Sequence, residues 1–410
     1  MRIRDRALGI DVRLTLAAAW ADPYPLYARV RDAGTLVRCR VPLVGGAWLV
    51  ARHEDVSVVL RDAKRFKSSH RGVTGRPEWF EYLMPKLVRT FAKSMVTSDD
   101  GDHRRLRGLV AKVFTPARVE QLEARIEGIV AEQLDGIEPT GTFDLMAALA
   151  LPLPLRIISE LLGVEARERD EFHRLIGVLM ADQGSLALLR QLPTYRALHR
   201  FFARLLERKR VHPGDDLTSD LVAVEQEGDR LSADELVSMV LLLLFAGHET
   251  TVNLIGNGML ALLEHPEQLQ RLREQPSLVP SAVEEVLRFD SPAQFAATRY
   301  VAERCELGGR VLERGERLVP LLGAANRDGQ VFDEPDALDV ERDPNRHVAF
   351  GAGPHFCIGA HLSRVEGRIA FTRLLERFPR LELAVERGAL RWRSNDSGLR
   401  GLAALPVRAG

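Results

Sequence analysis

Phe350-Gly351-Ala352-Gly353-Pro354-His355-Phe356-Cys357-Ile358-Gly359 joins a short strand-like run to a long helix. Apolar residues at helical spacing carry that helix from near Ile358 through Arg364, Ile369 and Leu374 to about Phe378. Gly351, Gly353 and Gly359 let the backbone turn tightly and approach a flat ligand closely. Cys357 falls at the helix N-terminus, where free N–H groups and the helix dipole favour a thiolate. A thiolate there serves as a metal ligand or as a nucleophile, and these ten residues leave both open. The other two cysteines, Cys39 and Cys305, lie in short apolar or mixed segments and are expected to be inert packing residues. Three scattered cysteines are too few for a disulfide framework or a four-cysteine zinc site.

A second stretch is as unusual. Ser232-Ala-Asp-Glu235 forms a capping box, and a helical pattern then runs unbroken to Glu264, where His265-Pro266 stops it. At ~1.5 Å per residue this helix is about 48 Å long, enough to cross a domain. Leu236–Ala246 is apolar nearly all round, which predicts a buried central helix and a natural wall for a cofactor pocket. Midway, the apolar run gives way to Ala246-Gly247-His248-Glu249-Thr250-Thr251. Burying such polar side chains is costly unless they have partners or a purpose. Gly247 also weakens the helix, by ~1 kcal/mol relative to alanine. A small residue beside polar ones lets something flat lie against the backbone, although a solvated kink in an ordinary core helix has the same appearance. His248 reads as a helix-face residue rather than a metal ligand.

The remainder sets the frame. With 410 residues and 46% apolar composition the chain can bury a large core. No linker, low-complexity run or fixed-period repeat divides it, so residues 1–410 are expected to form a single domain. Lysine plus arginine and aspartate plus glutamate number 57 each, so no overall basic field argues for nucleic acid. The charged start lacks an apolar signal core, and Val240–Ala246 is far short of the ~20 apolar residues that span a bilayer. A soluble, cytoplasmic protein without membrane contact is expected.

Helical periodicity is read at 23–33, at 54–63 and from His103 to about 210, interrupted at Thr142–Asp144 and by Pro152 and Pro154. Val37–Val41 and Ala47–Ala51 alternate around Gly45-Gly46, predicting a hairpin. Further short strands are expected at 298–301, 305–307, 310–312, 317–320 and 381–385. Residues 68–102, with Trp79, Phe80, Tyr82 and Phe91, read as turns with a short helix. Ser281-Ala-Val-Glu284 reads as a second capping box, followed by Glu285 and Arg288 on one helix face. The fold class is mainly α, an α-rich α+β architecture with a long central helix and small peripheral sheets.

The loop around Cys357 resembles a known signature. Phe350, Gly351, Gly353, His355, Cys357 and Gly359 match the haem-binding motif of the cytochrome P450 family. The resemblance implies haem b as cofactor, with Cys357 the axial ligand that pushes electron density onto iron. Ala246-Gly247-x-Glu249-Thr250-Thr251 resembles the family's oxygen-binding helix, which implies that Thr250 stabilises activated dioxygen and Glu249 relays protons from solvent. Glu285 and Arg288 match the family's buried Glu-x-x-Arg lock. His103, Arg107, Arg299 and His355 match residues that hold the haem propionates. The prolines often found before that first histidine are Asp100-Gly101 here, a departure in how the loop approaches. By position, Leu242, Phe245 and Ala246, then Phe295, Ala296 and Ala297, and finally Leu399 would line a substrate pocket, with 68–95 as its lid. Their apolar character favours a hydrophobic substrate of moderate size.

The similarity runs from about Pro23 to the carboxyl end and implies a monooxygenase that oxidises an apolar small molecule, such as a natural-product intermediate, by hydroxylation or epoxidation. No flavin or nicotinamide unit is evident, so electrons are expected from a separate ferredoxin or flavodoxin with its reductase. Arg104, Arg105 and Arg364 are candidates for a basic docking patch on the cysteine side, and the enzyme is expected to be monomeric. Three other readings compete. A peroxide-driven peroxygenase generally carries an arginine-proline pair in place of Glu249-Thr250. A haem sensor or carrier has no need of the acid and the threonine. A cysteine hydrolase would use His355 as base, two residues from its nucleophile on a loop shaped for something planar.

Overall fold

Helix-forming periodicity dominates the chain and helices dominate the structure, a computed structural model that describes all residues except 1, 6–9, 14–19, 35, 42–44, 79–93, 182–189, 227–232 and 394–397. The helices that position the site are α1 (Tyr24–Asp32), α2 (Asp100–Val113), α3 (Pro116–Asp135), α4 (Pro152–Leu161), α5 (Ala233–Glu264), α6 (Val279–Phe289) and α7 (Ala360–Arg377). The strands are β1 (Arg2–Asp5), β2 (Ile10–Arg13), β3 (Leu36–Val41), β4 (Gly45–Val50), β5 (Phe66–Lys67), β6 (Gly141–Asp144), β7 (Arg299–Val301), β8 (Cys305–Leu307), β9 (Arg310–Leu312), β10 (Arg317–Pro320), β11 (Glu382–Leu383) and β12 (Pro406–Ala409). They form a seven-stranded sheet in the order β2-β1-β3-β4-β10-β7-β5, a three-stranded sheet β11-β12-β6, and the hairpin β8-β9. The fold is the mainly α one expected, with small sheets.

The long helix α5 is the spine. Leu236, Val240, Leu244, Val252, Ile255 and Met259 are all buried in the main core, each adding roughly 1.5–3 kcal/mol by removal from water. Helices α3, α4, α6 and α7 contribute Ile129, Leu153, Val286 and Phe371 to the same core. Close approach requires Gly258, because a Cβ there would lie 2.5 Å from the Phe371 ring and 2.8 Å from Val286. By length and a hydropathy of 1.4, Glu235–Glu264 matches a membrane span, but 72% of that window is buried inside the protein. It is a core helix.

Several sequence expectations need correction. The expected hairpin forms, but Gly45 and Gly46 pair with Val41 and Arg40 inside the β3–β4 ladder, and residues 42–44 lie outside the described residues. The break expected at Pro152 and Pro154 is a turn at Leu151, after which both prolines sit in the first turn of α4, where a proline loses no intrahelical hydrogen bond. The Ser281–Glu284 capping box does not exist. Helix α6 begins at Val279 with Leu278 as its uncapped N-cap, and Pro280 in the first turn sets the start. Ser232 and the aromatic residues Trp79, Phe80, Tyr82 and Phe91 lie outside the described residues, as does most of the predicted lid at 68–95.

The Glu285–Arg288 pair is fully buried, and every charge has a partner. Arg288 donates to both carboxylate oxygens of Glu285 at 2.8 and 2.7 Å. Its remaining donors reach the carbonyls of Asn326, Pro335 and Ala337 at 2.7–3.0 Å. Glu285 also accepts from Arg342, Asn345 and the Asp339 amide. These bonds fasten α6 to the segment that leads into the cysteine loop.

Candidate active site

The cysteine loop is a compact turn built on glycine. Gly351 and Gly353 adopt φ of 71° and 69°, a region open to glycine. At Gly353 a Cβ would also lie 2.5 Å from the Leu60 carbonyl. The Cys357 amide donates to the Phe350 carbonyl at 2.9 Å, closing the loop ahead of α7. The Arg364 guanidinium lies over the Phe350 ring, 4.7 Å from its centroid. Cys357 is accessible to solvent-sized probes, yet burial pushes its thiol upward, against the pull of the Gly359 N–H, Arg107 and Arg364. A cation on the sulfur would stabilise the thiolate there.

The long helix shows a matching anomaly. Ala246 and Gly247 are exposed in the middle of a helix whose flanks are core, and a Cβ on Gly247 would meet nothing within 4 Å. The next turn carries the polar group. Glu249 is 5% exposed, and the Thr250 hydroxyl donates to the Ala246 carbonyl at 2.5 Å. His248 turns away, its Nε2 lying 3.2 Å from the Leu151 carbonyl, and burial lowers its pKa to about 4. It is a neutral core residue.

Four cationic or imidazole side chains converge nearby. His103 and His355 stack with ring centroids 4.1 Å apart. Burial and then Arg299, His103 and Arg107 push His355 down to about 3. Arg299 is 3% exposed, and burial lowers it to about 10. Its described hydrogen bond goes to the Ala297 carbonyl, and among the described residues no carboxylate forms an ion pair with it. The His103 Nε2 is buried without a partner. Arg107 donates to the Phe356 carbonyl at 2.7 Å. A buried cluster of one sign is unfavourable unless an anion completes it.

The Asp100-Gly101 departure has a local account. Asp100 takes φ of 48° at the first position of α2, and Lys67 pairs with its carboxylate at 2.8 Å. The neighbouring Asp99 accepts from the Ser68 and Ser69 amides at 2.8 and 2.7 Å. The Ser68 hydroxyl in turn lies 3.0 Å from His355 Nε2. Ser68 and Asp99 had no distinctive sequence signal, since a lone serine and aspartate in a loop are ordinary.

The apolar candidates come from three segments. Leu242 and Phe245 are partly buried on α5, and Phe295, Ala296 and the exposed Ala297 precede β7. Leu399 bridges Ala293, and a Cβ on Gly398 would press to 2.6 Å on Phe295, so the carboxyl-terminal turn lies against that strand. Of the expected basic patch, Arg104 is exposed. Arg105 pairs with Glu235, and Arg364 is held by Glu284 at 2.6 Å. Cys39 is buried and pushed up to about 12 by desolvation, in keeping with an inert packing role.

Comparison with known proteins settles the family. The chain is 44% identical over 394 residues to cytochrome P450 107B1 of Saccharopolyspora erythraea, covering 95% of each. The chain belongs to the cytochrome P450 family. The family model for cytochrome P450 matches residues 196–388 of this P450. It is also 44% identical over 396 residues to the vitamin D(3) 25-hydroxylase of Pseudonocardia autotrophica, covering 95% of this chain and 94% of that one. The solved structure of PksS, a P450 of the bacillaene polyketide synthase of Bacillus subtilis, superposes with a TM-score of 0.89 at 37% identity, over 97% of this chain and all of that one. This P450 is therefore a monooxygenase with haem as its prosthetic group, and it uses a small-molecule substrate and a redox partner.

The residues present fit that group. The exposed Cys357, the bare face at Ala246-Gly247, the buried Arg299 and the unpartnered His103 Nε2 are features that an iron porphyrin with two carboxylates would need.

Proposed function

We propose that the chain works as one haem domain that inserts oxygen into an apolar natural-product intermediate, by hydroxylation or epoxidation. Cys357 would hold the iron, and His103, Arg107, Arg299 and His355 the propionates. Thiolate-ligated haem supplies dioxygen activation. Glu249 and Thr250 then carry protons from solvent to the reacting side, while Ala246 and Gly247 leave room there. Leu242, Phe245, Phe295, Ala296, Ala297 and Leu399 exclude water and orient the substrate by apolar contact. The name of one relative refers to vitamin D(3) hydroxylation and that of another to polyketide biosynthesis, and both support a bulky apolar substrate. Electrons come from a ferredoxin or flavodoxin with its reductase, docking on the cysteine side where Arg104 is exposed.

The observation that carries this reading is the polar break in α5, a buried acid and a hydroxyl one turn from an exposed Ala246-Gly247. The carbon monoxide difference spectrum of the dithionite-reduced protein tests its foundation. A thiolate-type Soret band, lost in Cys357→His, is the expected result. A band of another ligand class in the wild type would displace Cys357 from the iron. Ligand-induced spin shifts with a panel of polyketide and sterol-like compounds then test the substrate class.

A further inference from the structure

We propose that Arg393 is the positioning residue for the Glu249 carboxylate, an assignment that rests on reading Glu249 as the proton-relay acid. Residues 391–393 and 398–403, near the carboxyl end, bring the arginine to α5. Trp392 bridges Leu402, the Arg393 amide donates to the Gly401 carbonyl at 2.9 Å, and the Ala403 amide donates to Arg391 at 2.7 Å. This ladder is pressed onto the long helix. A Cβ on Gly401 would fall 1.9 Å from Asn253 Oδ1, so only a bare backbone fits, and Asn257 donates to the Arg400 carbonyl at 3.0 Å.

The guanidinium is therefore delivered to a fixed place. One Nη donates to Asn253 Oδ1 at 2.6 Å, and the other lies 3.9 Å from Glu249 Oε1. Asn253 follows Glu249 by four residues, so the fork of Arg393 spans one turn of α5. A separation of 3.9 Å is beyond a hydrogen bond but within strong charge interaction where side chains are 22% and 7% exposed. The guanidinium thus attracts and aims the carboxylate from 3.9 Å. Asn253 orients the arginine, and neither residue touches the reacting atoms.

The test uses full-length holoenzyme and four variants: Arg393→Gln, Arg393→Lys, Glu249→Gln and the Arg393→Gln/Glu249→Gln double variant. Electron consumption is followed with ferredoxin and its reductase, dioxygen being the sole acceptor. Arg393→Gln is expected to slow turnover about tenfold, the low end of what losing a proton-transfer group costs. Arg393→Lys should restore most of the rate, and Arg393→Gln should add nothing to Glu249→Gln. Thermal unfolding of the ferric protein without reductant supplies a readout independent of turnover, in which the two single-variant shifts in Tm are expected not to add. Additive effects in both measurements, or normal turnover in Arg393→Gln while Glu249→Gln is slow, would overturn the assignment. Normal turnover in Glu249→Gln would instead sink the relay reading on which it rests.

Discussion

Two buried clusters of charge lie on either side of the cysteine loop, and they are built in opposite ways. In the Glu285–Arg288 cluster the guanidinium and the carboxylate meet six further partners, so each donor and acceptor has a destination. In the His103–Arg107–Arg299–His355 cluster the charges share one sign, a ring nitrogen is orphaned, and burial depresses Arg299 to about 10. A bound anion would complete the second arrangement. A satisfied buried network holds a fold together. An unsatisfied one of single sign marks a binding site.

The comparison can be broken most severely at its complete end. Arg288→Ala strips Glu285 of its bidentate donor and three carbonyls of the guanidinium, and breaking a buried pair in this way costs about 3–5 kcal/mol. Chemical denaturation should show the loss, and little soluble holoprotein should accumulate.

At the incomplete end the sign should reverse. Arg299→Leu removes a buried cation that has no carboxylate in an ion pair with it among the described residues, so the apoprotein should be as stable as wild type or more so. Haem retention should weaken about tenfold or more, as expected from the loss of a charge-assisted hydrogen bond worth ~1.5–3 kcal/mol. Transfer of haem to an acceptor apoprotein reads this directly. Equal loss in apo and holo forms would mean that Arg299 is structural.

A smaller effect sharpens the contrast at a single acid. Glu366 on α7 is 3% exposed with Oε2 unpartnered, and burial raises its pKa from 4.5 to about 8. Between those values the folded state binds more protons than the unfolded one, so stability falls as pH rises through the window. The slope is at most ~1.4 kcal/mol per pH unit. Glu366→Gln keeps the shape without the titration, and the difference in Tm from wild type should grow from pH 5 to pH 8. A constant difference would show that Glu366 does not titrate in that range.

Much of the site was legible where chemistry demands a fixed local pattern. Glycines with positive φ, a cysteine at a helix start and an acid-threonine pair within an apolar helix are all written in short stretches. Helix and strand positions near the carboxyl end also matched closely, because β7 to β10 are bounded by clear turns. What stayed illegible depends on partners far away in sequence. The Ser281 capping box failed because Pro280 and the preceding 3₁₀ turn start the helix three residues earlier. Arg105 and Arg364 looked like a docking patch until Glu235 and Glu284 were found beside them. Burial pushes Glu284 upward, but hydrogen bonds from Arg364 and His347 outweigh it and hold the acid at about 2, so that arginine is committed. Arg393 carried no signal at all, since one arginine near the carboxyl end is ordinary until the chain folds back on α5.

The sequence by itself determined the mainly α architecture, the glycine-rich cysteine loop and the polar break in the long helix, because periodicity and backbone geometry are local properties of adjacent residues. Only the tertiary structure decided which charges are spent on the fold and which are held open for a ligand. Pairing is a property of distance in space, and a guanidinium 140 residues from its partner in the chain is assigned only when both are packed against the same helix.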